Sequence, residues 1–406
     1  MKKIYLLLLM TMSFIVLRGQ NGRFLSSVFD DIKITSEIEF SRAVRVSETE
    51  PVPLYLNFYE PDGDTMQHRP LVIMIFGGAF VAGSRNFVDM VTYAEALSHH
   101  GYIAASIDYR LLALMNFSSP NFVRAGYAAA QDVSSAVRFF KANYDLYGVD
   151  TTQIFLLGNS AGSIAALYEI YLDENERPAE TYNDYDLGEL HSSGFDYYRN
   201  NTPTVAGVIS QWGGVTDLEI VDEDEKTPVC FIHGTSDNVI PYDSGYCVFM
   251  GASLMYLYGS HTISQRLDNF VVTNELHPFE GEGHNFYFNN SYNLVQNKFD
   301  SCFYITRDFL AKYNNYLGGL QSYTSGNSFI TVYPNPADNY INIKTCNGKA
   351  IESKITIYSS FGNVVKELYV NADVPNVYVG DLAQGFYVIT LNISDKTVYG
   401  KFIKGL

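Results

Sequence analysis

Between Leu71 and about Tyr313, short unbroken apolar runs alternate with longer stretches whose apolar residues recur at helical spacing. That alternation predicts a mostly parallel sheet with crossover helices. The strand candidates are Leu71–Phe76, Ile103–Ile107, Ile154–Leu157, Val205–Ile209, Val229–His233 and Val271–Phe279. Most are continuous and bounded by Gly, Asp or Pro, as expected of strands covered on both faces. Upstream, Ile32–Phe58 alternates more loosely and suits antiparallel edge strands. Gln131–Tyr144 sets Val133, Val137 and Phe140 on one face of a helix. Asp173–Asn201 breaks the alternation. It is rich in Asp, Glu and Tyr and follows the helix after Ser160, where an insertion either rides on the surface or overhangs a pocket as a lid. Gly318–Ser328 is a Gly/Ser-rich linker. Beyond it, Tyr340–Lys344, Lys354–Ser359, Val364–Tyr369, Gly385–Asn392 and Thr397–Ile403 predict a small β-sandwich.

The first residues read differently. Lys2 and Lys3 precede the run Ile4–Leu17, and Arg18, Gly19 and Gln20 follow it. A span wants about 20 apolar residues, so this shorter run with basic residues in front is expected to be a secretory signal cleaved near Gly19. The expected organisation is a signal peptide over 1–19, an α/β domain over 20–317, a linker over 318–328 and the sandwich over 329–406. No other segment is apolar and long enough to span a bilayer, so the mature chain is expected to carry no transmembrane segment.

Composition narrows the partners. Of 406 residues 47% are hydrophobic and 17% charged, which suits a packed protein, and the formal net charge is −17. Phosphate binding draws on Lys and Arg, so 44 acids against 27 bases disfavour nucleic acid and anionic lipid. The cysteines, Cys230, Cys247, Cys302 and Cys346, form no C-x-x-C pair and no zinc-ligand pattern with histidine, so no metal is expected. In an exported chain, Cys247 and Cys302 are candidates for a disulfide between two late helices, with Cys230 an apolar filler.

Ile154–Leu157 runs into Gly158-Asn159-Ser160-Ala161-Gly162, a G-x-S-x-G turn between a strand and a helical run. Glycine is needed there because the nucleophile's backbone is strained and its neighbours come close. A serine hydroxyl needs a base, and the base needs an orienting acid. Asp237 follows the strand Val229–His233 in the loop Gly234-Thr235-Ser236-Asp237, at a strand's carboxyl end where such groups collect. His284 ends Gly281-Glu282-Gly283-His284, just beyond the last strand candidate. The competing residues are Asp217 for the acid and, for the base, His233, which reads as structural at its strand end. An oxyanion needs backbone donors. Ala161 offers one, and Gly78 and Ala79 in Phe76-Gly77-Gly78-Ala79-Phe80 offer the other. Trp212 is a candidate pocket wall.

These motifs resemble the α/β-hydrolase carboxylesterases of the hormone-sensitive-lipase-like and secreted polysaccharide-esterase groups. The matching segments are Phe76-Gly77-Gly78-Ala79, Asp108-Tyr109-Arg110, Gly158 to Gly162, His233 to Asp237 and Gly281 to His284. Phe76 stands where those groups carry a histidine, and Ala79 where they carry a third glycine. The resemblance implies a doubly wound α/β-hydrolase sheet and hydrolysis of small-molecule or polymer-borne esters without a cofactor. The tail, through Tyr333-Pro334-Asn335-Pro336-Ala337, Leu382 to Tyr387 and Lys401-Phe402-Ile403-Lys404, resembles the sorting domain of the type IX secretion system. It implies that secretion machinery as partner, with release outside the cell or attachment at its surface. A peptidase of the same fold and a non-catalytic binding protein are the competing readings.

Overall fold

Seven consecutive buried residues of β3 (Arg69–Ile75), and wholly buried β4 (Ile103–Ile107) and β6 (Gly207–Gln211), explain the unbroken apolar runs: each lies inside a sheet with helices on both faces. In the computed structural model the described residues are 23–182, 186–249, 251–314, 316, 330–333, 337, 339–345, 351–359, 363–372, 375–393 and 396–405. The predicted signal peptide, the linker 318–328, Cys346 and residues 334–336 of the tail motif lie outside them. The chain divides into two compact units, one of residues 23–315 and one that takes up the chain from 316.

In the first unit, β1 (Ile32–Val44), β2 (Pro51–Pro61), β3 and α1 (Val88–His99) are followed by β4, α2 (Ser119–Ala142) and the short α3 (Tyr144–Tyr147). Then come β5 (Val149–Asn159), α4 (Ala161–Tyr171), β6, β7 (Gly214–Val215), β8 (Val229–Gly234), β9 (Ser244–Phe249), β10 (Ala252–Gly259), α5 (Ser260–Asn269), β11 (Asn274–Phe279) and α6 (Gln296–Tyr313). The eight-stranded sheet has the order β1-β2-β4-β3-β5-β6-β8-β11. From β4 to β11 the pairs are parallel, while β1 and β2 are antiparallel additions at one edge. This is the expected α/β-hydrolase arrangement. A small sheet, β7-β10-β9, stands apart from it.

Several boundaries moved, such as β6 from the expected Val205–Ile209 to Gly207–Gln211, and two have a plain cause. The last strand starts at Asn274, because Val271 sits at φ 61° in the turn that closes α5. The helix expected over 131–144 begins at Ser119, capped by Ser118. Its stretch Ala125–Ala130 is buried all round and, Tyr127 apart, made of small residues, so it shows no polar face for a sequence pattern to register. The described part of the 173–201 insertion is what covers it. Gln131 donates to the carbonyls of Leu187 (2.7 Å) and Glu189 (2.8 Å), Arg138 to those of His191 and Ser193, and the buried Tyr198 hydroxyl to Phe40 O. These bonds clamp the segment onto α2 and β1.

The second unit comprises β12 (Ile330–Tyr333), β13 (Tyr340–Thr345), β14 (Ile351–Ser359), β15 (Val364–Ala372), β16 (Asn376–Tyr378), β17 (Gly385–Ile393) and β18 (Lys396–Lys404). Antiparallel sheets β12-β13-β16 and β15-β14-β17-β18 share one core, with Ile341, Ile343 and Val377 of the first against Ile355, Ile389 and Phe402 of the second.

Candidate active site

Ser160 stands between the end of β5 and the first residue of α4, at φ 50° and ψ −119°. Both flanking glycines are sterically required: a Cβ on Gly158 would lie 2.3 Å from Gly162 O, and one on Gly162 2.1 Å from Ile75 O. The Ser160 amide donates to Gln211 O at the end of β6, at 2.9 Å. These constraints aim the side chain beyond the carboxyl edge of the sheet.

There the structure brings the predicted residues together. Ser160 Oγ lies 2.9 Å from His284 Nε2, and His284 Nδ1 lies 2.7 Å from Asp237 Oδ2. A carboxylate only accepts, so Nδ1 carries the imidazole proton and Nε2 is left to receive the serine's. Asp237 Oδ1 accepts the amides of Val239 (2.8 Å) and Ile240 (3.0 Å). Gly234 lets the two loops meet, since a Cβ there would stand 2.4 Å from Glu282 O.

His233, read from sequence as structural, bonds to the acid itself. Its Nε2 lies 3.2 Å from Asp237 Oδ2 and 3.1 Å from Ile240 O, and its Nδ1 2.8 Å from Ser260 Oγ. Burial alone would push the Asp237 carboxyl up, but hydrogen bonds from His233 and His284 outweigh it and hold the group at about 2. Asp217 instead accepts the amide of Glu219 in a local turn.

Ala79 and Ala161 line the same small cavity as Ser160, about 20 Å³ in volume. Ala161 opens α4, so its N–H has no carbonyl a turn earlier to bind. Ala79 takes φ 53°, turning the loop backbone inward. The Gly78 carbonyl accepts the amides of Val81 and Ala82, which fixes the loop, and the residue is not among those lining the cavity. A Cβ on Gly77 would meet Ser160 Cβ at 3.1 Å, so the loop's approach to Ser160 needs glycine there. Phe76, in the place of the family's histidine, stacks on Tyr109 (centroids 4.3 Å apart), whose hydroxyl donates to Phe76 O.

The remaining cavity walls are apolar, from Phe122, Ile164, Val239 and Ile240, with the Cys247 thiol beside them. Two expectations are corrected here. Cys247 lies on strand β9 rather than a helix and faces the cavity, whereas Cys302 is on α6, near Tyr93 and Cys230. Both are free thiols and no Cys247–Cys302 disulfide exists. Trp212 does not line the cavity. Its amide binds Ile232 O at φ 40°, which turns the fully buried ring inward to meet His284 edge-on at 6.2 Å, with Phe286 and Tyr287 beside it.

Among the described residues one group gathers three metal-ligating atoms within 4.8 Å, those of Cys230, Glu275 and His277. Lys312 already pairs with Glu275, where the His277 hydrogen bond and the Lys312 charge outweigh burial and hold the carboxyl below its usual range, while burial pushes the Cys230 thiol well up. No helix among the described residues is long and apolar enough to cross a membrane.

Residues 56–228 match the family model described as BD-FAE, and residues 331–405 match that of the secretion system C-terminal sorting domain. The bile salt-activated lipase of Homo sapiens is 33% identical over 116 residues, which is 27% of this chain and 15% of that protein. Human carboxylesterase 5A is 29% identical over 113 residues, 28% of this chain and 19% of that protein. The chain spans less than a third of the length of the curated relatives it matches. A solved structure, Thermogutta terrifontis esterase 2 phosphorylated by paraoxon, is 19% identical and aligns over 70% of this chain and 95% of its own, with a TM-score of 0.47. The chain thus joins an α/β-hydrolase, esterase-like domain to a C-terminal sorting domain of the kind that implies export by the type IX secretion machinery.

Proposed function

We infer that the protein is an exported serine carboxylesterase in which Ser160 is the nucleophile, His284 the general base and acid, and Asp237 the group that orients the imidazole. The observation that carries this reading is the unbroken relay, 2.9 Å from Ser160 to His284 and 2.7 Å on to Asp237, opening into a cavity beside Ala79 and Ala161. Ser160 Oγ attacks the ester carbonyl while His284 Nε2 takes its proton. The amides of Ala79 and Ala161 receive the developing oxyanion, each worth about 3 kcal/mol by comparison with single-donor deletions. The imidazolium returns the proton to the leaving alcohol, and water then releases the acid from the acyl-enzyme by the same steps. Matches to proteins named lipase and carboxylesterase favour an ester over an amide. The cavity has room for little more than one water, which favours a short acyl chain.

On this reading, residues 20–317 form the catalytic region. Residues 1–19 direct passage across the inner membrane, and 329–406 direct passage across the outer membrane and are then removed. Purified protein is expected to hydrolyse p-nitrophenyl acetate faster than the octanoate. Ser160→Ala should lower kcat on the order of 10⁶-fold and abolish labelling by a fluorophosphonate while the circular dichroism is unchanged. Equal turnover by that variant, or an active enzyme confined to amide substrates, refutes the assignment.

A further inference from the structure

A second carboxylate lies buried behind the nucleophile turn, outside the relay. Asp89, in the first turn of α1, is 1% exposed. Its Oδ1 accepts the Met90 amide at 2.9 Å, and its Oδ2 accepts Asn159 Nδ2 at 2.6 Å and the Tyr287 hydroxyl at 3.1 Å. That hydroxyl also lies 3.0 Å from Gln211 Oε1, and Gln211 Nε2 lies 2.8 Å from the Tyr93 hydroxyl.

Three members, Asn159, Gln211 and Tyr287, adjoin working parts. Asn159 precedes Ser160, and its Oδ1, buried and without a hydrogen-bond partner, faces Gly77, where a Cβ would stand 2.8 Å away. Gln211 O receives the Ser160 amide. Tyr287, just beyond His284, packs at 4.8 Å on Trp212, the ring that meets His284. The need for such a bridge follows from the sheet: β5 delivers Ser160 and β11 delivers His284, with β6 and β8 between them. No ladder bond joins those two strands, so side chains have to hold their loops in register.

We propose that Asp89 is a positioning residue that aligns the Ser160 turn and the His284 loop through Asn159 and Tyr287, a role that rests on the serine-esterase reading. The chemistry selects a carboxylate. Both oxygens face donors, so an amide in its place turns one N–H against another N–H, either at Met90 or at Asn159. Misalignment on the order of 1 Å costs about 100-fold in rate, and it falls on kcat because acyl contacts in the cavity are untouched.

The test uses the mature protein with kcat and KM on p-nitrophenyl acetate, the rate of fluorophosphonate labelling, and Tm. Asp89→Asn is expected to lower kcat and the labelling rate about 30-fold with KM within about twofold. Tyr287→Phe is expected to lower kcat about 5-fold, and the double variant to fall no further than Asp89→Asn alone, since both act through one network. Leu97→Ala, buried on the same helix but outside the network, should lower Tm and keep the wild-type kcat. Wild-type kcat in Asp89→Asn, or a matching loss in Leu97→Ala, overturns this role and leaves the esterase reading intact. If Asp89→Asn does not fold, Tyr287→Phe decides, and a wild-type kcat there overturns the role. An unreactive wild type overturns both.

Discussion

Asp237 and Glu169 are both buried carboxylates in the same domain, and they sit in opposite states. Asp237 has donors on both oxygens, two amides on Oδ1 and two imidazoles on Oδ2, and its carboxyl is held at about 2. Glu169, on α4, has neither oxygen in a hydrogen bond of normal geometry, although Ser134, Arg138 and Lys141 lie near. Burial pushes its carboxyl well up. Arg138 spends its own donors on the carbonyls of the insertion instead. Burial is common to the two sites, so what separates this pair is the supply of donors, which gathers around the carboxylate bonded to His284 and is missing at Glu169.

The largest expected effect comes from removing the acid's charge. Asp237→Asn should lower kcat about 10⁴-fold, through the wrong imidazole tautomer, as read by steady-state kinetics at pH 7. It should also reveal the carboxylate's share of stability. A group lowered from 3.8 to about 2 contributes about 2 kcal/mol above its unfolded value, lost as pH falls from about 4 to 2. The gap in stability between wild type and variant, measured by urea unfolding, should close over that window. A gap constant with pH would assign it to packing.

His233→Ala is a finer cut at the same oxygen. With one imidazole gone, Asp237 holds the His284 proton more strongly, so the acid limb of kcat/KM should move to higher pH, with kcat down about 10-fold. The groups facing this cluster are Tyr242 against the His233 ring, Ser260 on α5 and the Cys247 thiol on β9. An unmoved limb beside a lowered Tm would reduce His233 to a packing residue. The smallest effect is on the other side of the comparison. Glu169→Gln should leave kcat alone and raise stability by roughly 1 kcal/mol at neutral pH. A raised carboxyl costs the wild type progressively as pH climbs above its unfolded value, so the advantage should fade toward pH 4. A variant less stable than wild type at pH 7 would mean that Arg138 needs that charge.

The difference between the two carboxylates was only half legible beforehand. Ser160 and Asp237 announce themselves because each ends a buried strand in a glycine-bearing loop, and His284 because it closes a glycine-bearing loop after the part-exposed β11; these are local signals, and the structure brings all three within hydrogen-bonding distance. The parallel strands are legible for the same reason, as unbroken apolar runs. Asp89 and Gln211 carry no local signal, since their meaning comes from partners far along the chain, and the segment His233 to Asp237 does not show that its histidine bonds its own aspartate. Cys247 looked helical because the β9–β10 hairpin, with its register shift between Ser253 and Tyr256, lacks clean alternation. Trp212 looked like a pocket wall because aromatic rings near sites often are, and nothing in its neighbours reports the inward turn at φ 40°.

The nucleophile turn and the oxyanion loop leave the sheet from neighbouring strands, with Ile75 of β3 directly beside Gly158 of β5. Their separation is therefore inherited from the spacing of hydrogen-bonded strands, about 4.8 Å, a distance no side chain adjusts. On the serine-esterase reading, exchanging Phe122, Ile164 and Val239 would admit longer or shorter acids while the backbone ruler that measures a carbonyl carbon against its oxygen stays at one length.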